Sequence, residues 1–419
     1  MNVRRSAAVL AAATALTCAA TPAMAASPSP SPTPAIPSGL YGTADPTYDG
    51  VWRQSLALLA QDTVGVRPAD EAVDWLTGQQ CATGAFAAFR ADPAKPCDTK
   101  LMVDSNSTAA AVQALAALGG HDAAADKAVG WLKSVQNADG GWSYAPGGAS
   151  DANSTSVVIG ALTAAGEKPA EVAKGGHSPY DALLKLALPC DAGGAFAYQP
   201  DKQGKLTANA DATAAGVLGA LGLGMAPEAG RKPGAGRETD AVCAGTGRAT
   251  PQQAAVNGAA YLAKAVAKDN HLTSALPGAE NQPDYGNTAD AVVALAAQGG
   301  AEQAEKPLSW LEKNSAAWAK QSGPAAYAQL IFAAHATGSD PRVFGGTNLV
   351  SALNETGPTP QSADSSGKAA TDKPGDEAGD DAKGEDSDDG YGVWWTVGVF
   401  LVAGIGIGFL ISGRRKQRP

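Results

Sequence analysis

The fold is decided by Trp131 to Gly166, WLKSVQNADGGWSYAPGGASDANSTSVVIGALTAAG. The stretch reads as the end of one helix, a Gly-rich turn holding a large aromatic, a polar step, and a second short apolar helix closed by Gly. Degenerate copies flank it. With Thr108, Thr155, Thr213 and Thr288 as anchors, the fourth residue on is Val112, Ile159, Val217 and Val292. The seventh on is Leu115, Leu162 and Leu295, with Leu221 one place late. The eleventh on is Gly119, Gly166, Gly224 and Gly299, expected as helix C-caps. Tyr327, Ile331 and Gly338 make a fifth copy. A unit repeated at this scale means a repeat architecture.

The residues before each anchor are polar: Asp104-Ser-Asn-Ser, Asp151-Ala-Asn-Ser, Asn209-Ala-Asp-Ala and Asp284-Tyr-Gly-Asn. Such residues make good N-caps. Between the anchored helices lie more highly charged ones, over 69–80, 122–136, 180–188, 252–268 and 306–320, which suit an outer layer. Further helices open the series at 48–61 and close it at 347–354. The pattern predicts an all-α fold, an α/α toroid of about six helical hairpins without a sheet. Small-residue helices line its inside.

Trp131-Leu132, Gln136 and Gly140-Gly141-Trp142 then become specific. They resemble the QW motif of squalene cyclases and prenyltransferases. Trp75-Leu76, Gln80 and Gly84-Ala85-Phe86 match it with Phe for Trp. A third copy keeps Gly194 and Phe196 but has Cys190 where Gln belongs, and Trp310-Leu311 begins a fourth without Gln. The resemblance implies the toroid, with Gln80, Gln136, Phe86, Trp142 and Phe196 tying adjacent hairpins together. The same toroid serves terpene cyclases, protein prenyltransferase β subunits, thioester domains of complement-like proteins, and cobalamin carriers similar to intrinsic factor and transcobalamin. Fold alone does not choose among them.

The chemistry narrows the choice. The folded region has no DxDD run, no GCGEQ and no recognisable Asp/Cys/His zinc set. His121, His177, His271 and His335 form no metal pair. No catalytic residue, metal or cofactor is therefore assigned. The net charge is −10, of which the 356–390 stretch carries −7 from ten acids and three lysines. Without that stretch and the basic residues of the two ends, the core keeps 31 acids and 22 bases, a poor partner for nucleic acid.

The candidate site is the mouth where the inner helices begin. Asp104, Asp151, Asp211 and Asp284 would converge there, with Asn106, Asn153, Asn209 and Asn287. Tyr144, Tyr285 and Tyr327 add aromatic contacts. Capping explains each acid singly; together they suit recognition of a small polar molecule. Asn106 and Asn153 are also glycosylation sequons. The expected function is a membrane-anchored surface protein that binds a small molecule or surface partner, with cobalamin as one candidate ligand. Cobalamin carriers normally add a β domain after the toroid, where this chain turns to a charged stalk. The alternative is an extracellular enzyme, similar to terpene cyclases and prenyltransferases or to polysaccharide lyases.

The ends carry targeting signals. Residues 1–25 read as a secretory signal, with Arg4-Arg5, an apolar run and Ala23-Met24-Ala25. Cys18 offers a lipoprotein alternative, although Ala15-Leu16-Thr17 fits a lipobox poorly. A Ser/Pro spacer follows over 26–40, the toroid over 41–355 and an acidic stalk over 356–390. Residues 391–412 hold a span, Val393 to Ile411, that would enter the lipid bilayer, with Arg414-Arg415-Lys416 in a cytoplasmic tail over 413–419. Gly404 and Gly408 form a GxxxG pair for packing two spans. Export leaves Cys81, Cys97, Cys190 and Cys243, an even count that predicts two disulfides in one of three connectivities. Cys81–Cys97 and Cys190–Cys243 would each staple one long loop; zinc is the rival.

Overall fold

The computed structural model describes residues 36–228, Cys243 and 249–362. The signal peptide, the Val393–Ile411 span, the basic tail and nearly all of the spacer and stalk lie outside the described residues. Among the described residues no helix is long and apolar enough to cross a membrane.

Thirteen α-helices are found there: α1 (Gly50–Thr63), α2 (Asp70–Gly78), α3 (Ser105–Leu118), α4 (Asp122–Ser134), α5 (Ala152–Ala164), α6 (Pro179–Lys185), α7 (Ala210–Ala220), α8 (Pro251–Val266), α9 (Tyr285–Gln298), α10 (Ala301–Asn314), α11 (Ala316–Ser322), α12 (Pro324–Thr337) and α13 (Leu349–Asn354). Helices α1, α3, α5, α7, α9 and α12 pack in that order, and α12 returns to α1. The ring is closed. The remaining helices lie outside it, with α4 on α3, α8 on α7 and α9, and α10 on α9. An inner helix must face two neighbours, an outer helix and the lumen, so it is buried all round. Residues Ser105 to Leu115 of α3 are buried without a break. Ala and Gly fill such positions because the backbones approach closely.

The repeat works as a hydrogen-bonded clamp. The hydroxyls of Thr108, Thr155, Thr213 and Thr288 accept the backbone N–H of Phe86, Trp142, Phe196 and Leu272 at 2.9–3.1 Å. Each anchor therefore pins the preceding turn to its inner helix. The Gln80 amide donates to the Ala124 carbonyl at 2.8 Å, and that of Gln136 to the Val172 carbonyl at 3.1 Å. Both reach into the next hairpin. Phe86, Trp142 and Phe196 are fully buried, and the Trp142 indole donates to the Leu132 carbonyl at 2.8 Å. In the third copy the Cys190–Cys243 disulfide takes the place of the Gln clamp, and Cys81–Cys97 is the second bridge. Both pairings are those expected.

Several expectations need correction. The helix expected over 306–320 is two helices, α10 and α11, meeting at Ser315. The fold has a minimal sheet, Leu272–Thr273 antiparallel to Pro283–Asp284. The folded region also outruns 41–355. Gln54 donates to the Gly39 carbonyl at 2.9 Å, and Gln361 donates to the carbonyl of Arg67 at 3.0 Å. The Gln361 contact, with Gly42 N–H donating to the Thr356 carbonyl at 2.8 Å, ties the two ends of the domain together where the ring closes. Finally, Gly224 is no C-cap. Gly222, at φ +69°, makes the turn after α7, and Gly224 lies beneath Gly160 of α5, where a Cβ on Gly160 would come within 2.7 Å of its Cα.

Candidate functional site

All six inner helices line one cavity of about 120 Å³ on the ring axis. Trp52, Asn153, Asp211, Asn287 and Ala325, all from first turns, share its wall. The inner helices therefore begin at a common mouth, as expected. Deeper in, the wall is apolar, through Leu56, Leu218, Val293 and Phe332. Leu223, Gly224 and Met225 close the floor. Gln113 holds that segment: its carbonyl oxygen accepts the Met225 N–H at 2.9 Å while its amide donates to the Val157 carbonyl at 3.1 Å.

Six converging helix N-termini bring partial positive charge and unpaired N–H groups to the mouth. Most acids there answer that demand. Asp104, Asp151 and Asp284 accept the backbone N–H of Ser107, Ser154 and Asn287 at 2.6–3.1 Å, and Asn209 caps α7 in the same way at 2.8 Å. These four are caps. Asp211 and Asp290 are not. Asp211 is the second residue of α7, and its carboxylate accepts from the Asn153 amide at 2.7 Å. Asp290 stands inside α9, beyond reach of any capping role, and accepts from the Gln329 amide at 3.2 Å. Both line the cavity and are largely buried.

Burial raises the pKa of Asp211 to about 6, against the pull of the Asn153 amide, with Asp284 and Asp151 adding to the rise. Burial and then the Asp211 charge raise Asp290 to about 7. Two acids that share one apolar enclosure resist double ionisation. Burial also raises Asp104 and Asp151 to about 6. These carboxyls ionise less readily folded than unfolded, so the folded chain holds more protons between about pH 4 and 7 and loses stability as the pH rises through that window. We expect the melting temperature to fall from pH 5 to pH 8, with a shallower slope in Asp290→Asn. A melting temperature that rises over this range would contradict these protonation states.

The other predicted residues are dispersed. Tyr144 lies beside Asp104, hydrogen-bonded to it, and burial followed by that charge pushes its hydroxyl pKa up. Tyr285 turns outward into an aromatic stack with Trp310 at 5.1 Å and Trp318 at 5.4 Å. Tyr327 is buried at the anchor position of the fifth copy and does not line the cavity. Asn106 is 2% exposed and Asn153 3%, so the sequons are buried in first helical turns. Sequence reasoning missed Asp290, Gln329, Gln113 and Ser156. Asp290 had a readable signal, a lone acid in the apolar run Thr288-Ala-Asp-Ala-Val-Val.

Among the described residues, two of the cavity wall have buried polar atoms without a protein partner: the Asn153 side-chain carbonyl oxygen and the Ser156 hydroxyl. Among the described residues no group of three or more His, Cys, Asp or Glu could hold a metal ion.

No family model matches the chain, and no curated protein matches it. Similar solved structures include a protein from Actinoplanes, at 16% identity and a TM-score of 0.46, covering 73% of this chain and 96% of that one. Another is ent-copalyl diphosphate synthase from Streptomyces platensis, at 16% identity and a TM-score of 0.44, covering 69% of this chain. The chain spans 50% of that synthase. A sugar epimerase from a ruminal bacterium stands at 14% identity and a TM-score of 0.43, covering 66% of this chain and 80% of its own. At this distance the likenesses assign no activity.

Proposed function

We propose that this is a surface-anchored binding protein whose ring holds a small molecule in its central cavity. Export by residues 1–25 and anchoring by Val393–Ile411 would present the ring outside the cell. The observation that carries the reading is the pair of orphaned polar atoms, Asn153 Oδ1 and Ser156 Oγ, in a largely apolar enclosure. Buried polar atoms are completed by protein, water or ligand. An apolar wall with a few placed polar groups is the usual build of a small-molecule site. A cavity of about 120 Å³ suits a ligand near the size of benzene. A cobalamin would have to sit at the mouth, with only a side group entering.

The test is a thermal-shift screen of small organic compounds on the full chain and on Ala215→Phe, which fills the cavity from α7. A ligand at about 100 times its Kd should stabilise the wild-type protein by about 2.7 kcal/mol and leave Ala215→Phe unmoved. Shifts of equal size in both proteins, or none in the wild type, would overturn the site.

One observation favours a second reading, an extracellular enzyme of cyclase, prenyltransferase or lyase type. A carboxyl with a pKa about 7, such as Asp290, suits a proton donor at neutral pH. That reading requires turnover that Asp290→Asn abolishes while binding persists.

A further inference from the structure

We propose that the ligand of the central cavity is a small organic ammonium: an apolar body of about five carbons bearing one cationic N–H donor group. The inference rests on the cavity being the binding site and concerns the chemistry that fits it.

Three of the cavity's amides are turned by the acids beside them. The Asn153 side-chain N–H donates to Asp211 at 2.7 Å, that of Asn287 to Asp284 at 2.7 Å, and that of Gln329 to both oxygens of Asp290 at 3.2 Å. Each bond fixes which end of the amide is nitrogen. Among the described residues four amides line the cavity: Asn153, Asn287 and Gln329 point their NH₂ group at an acid, and Gln113 points its own at the Val157 carbonyl. The carbonyl oxygens of the first three are what remains. That of Asn153, a residue only 3% exposed, is buried and has no partner among the described residues. Among the described residues no Lys, Arg or His lines the cavity. Apart from the Ser156 hydroxyl, the Trp52 indole N–H at the mouth and the Gln113 amide, which is already engaged, the polar side chains of the wall offer acceptors.

A ligand must therefore donate. An anion would meet Asp211 and Asp290 with the amide donors turned away, and a buried unpaired charge is costly. A hydrocarbon would leave the Asn153 oxygen unmatched. A bare divalent cation asks for six or more oxygens around it, and the wall is mainly apolar. An ammonium supplies several N–H donors to converging oxygens and one positive charge to an acid pair that cannot readily stay doubly ionised. Its hydrocarbon body fits Leu56, Leu218, Val293 and Phe332.

The test is calorimetric titration of the full chain at pH 8 with cyclopentylammonium, cyclopentanol and cyclopentanecarboxylate, which share a shape and differ in charge. We expect the ammonium to bind at least about tenfold more tightly than the alcohol, and the carboxylate not to bind. Asp290→Asn should lose most of that preference while still binding the alcohol. If that variant fails to fold, the wild-type ratio alone decides. Equal or tighter binding of the alcohol or carboxylate would overturn the ammonium inference and leave the site standing. Failure of all three to bind the wild-type protein would overturn both.

Discussion

Gly140→Ala is expected to cost about 3 kcal/mol of folding stability, from a strained backbone together with an overpacked contact. Gly140 closes the turn of the best QW copy at φ +92°, where an L side chain is strained. A Cβ there would also run into the Ser178 backbone carbonyl, at the start of α6. That carbonyl belongs to the helix and cannot turn aside cheaply. The motif needs Gly because the turn of one hairpin is pressed onto the backbone of the next, which is also what lets Gln136 reach Val172. Gly130, inside α4, has open space around its Cα. Gly130→Ala should be neutral or stabilise by up to about 1 kcal/mol. Urea midpoints of the two variants decide the matter. Equal midpoints would contradict both the backbone strain and the close contact at Gly140.

Removing the Cys190–Cys243 disulfide should cost at least as much. The residues are 53 apart, and closing a loop of that length corresponds to about 4 kcal/mol in the chain-entropy account. The Cys81–Cys97 bridge, over 16 residues, corresponds to about 3 kcal/mol. The difference should widen in practice, because Cys190 stands where the other copies place their Gln clamp. Its loss removes the tie between neighbouring hairpins as well as the loop closure. We expect Cys190→Ala with Cys243→Ala to lower the urea midpoint more than Cys81→Ala with Cys97→Ala. The reverse order would show that the third hairpin is held by packing alone.

Much of this was legible in the sequence, for physical reasons. Gln stands six residues before the buried aromatic in both clamps, each Thr anchor opens the same apolar pattern, and a closed ring repeats one contact geometry. The disulfides followed from the long loops they staple. Gly224 misled because its offset matched the C-cap series. The turn had already been made by Gly222, and Gly224 serves contact with Gly160 across the ring. The site was half legible. Polar residues before each anchor announced the mouth, and Asn153, Asp211 and Asn287 do line the cavity. Caps and site residues share the same few positions, however, and residue type alone does not separate them. Asp290 and Gln329 fall one turn later, on the lumen face, and only ring closure brings them beside Asp211.

The most direct test is crystallographic. Crystals of the full chain soaked in cyclopentylammonium should show the ring of the probe inside the six-helix lumen, with its nitrogen within hydrogen-bonding distance of Asp211 and Asp290. Probe density at another surface, with the lumen unchanged while titration reports binding, would contradict the central claim.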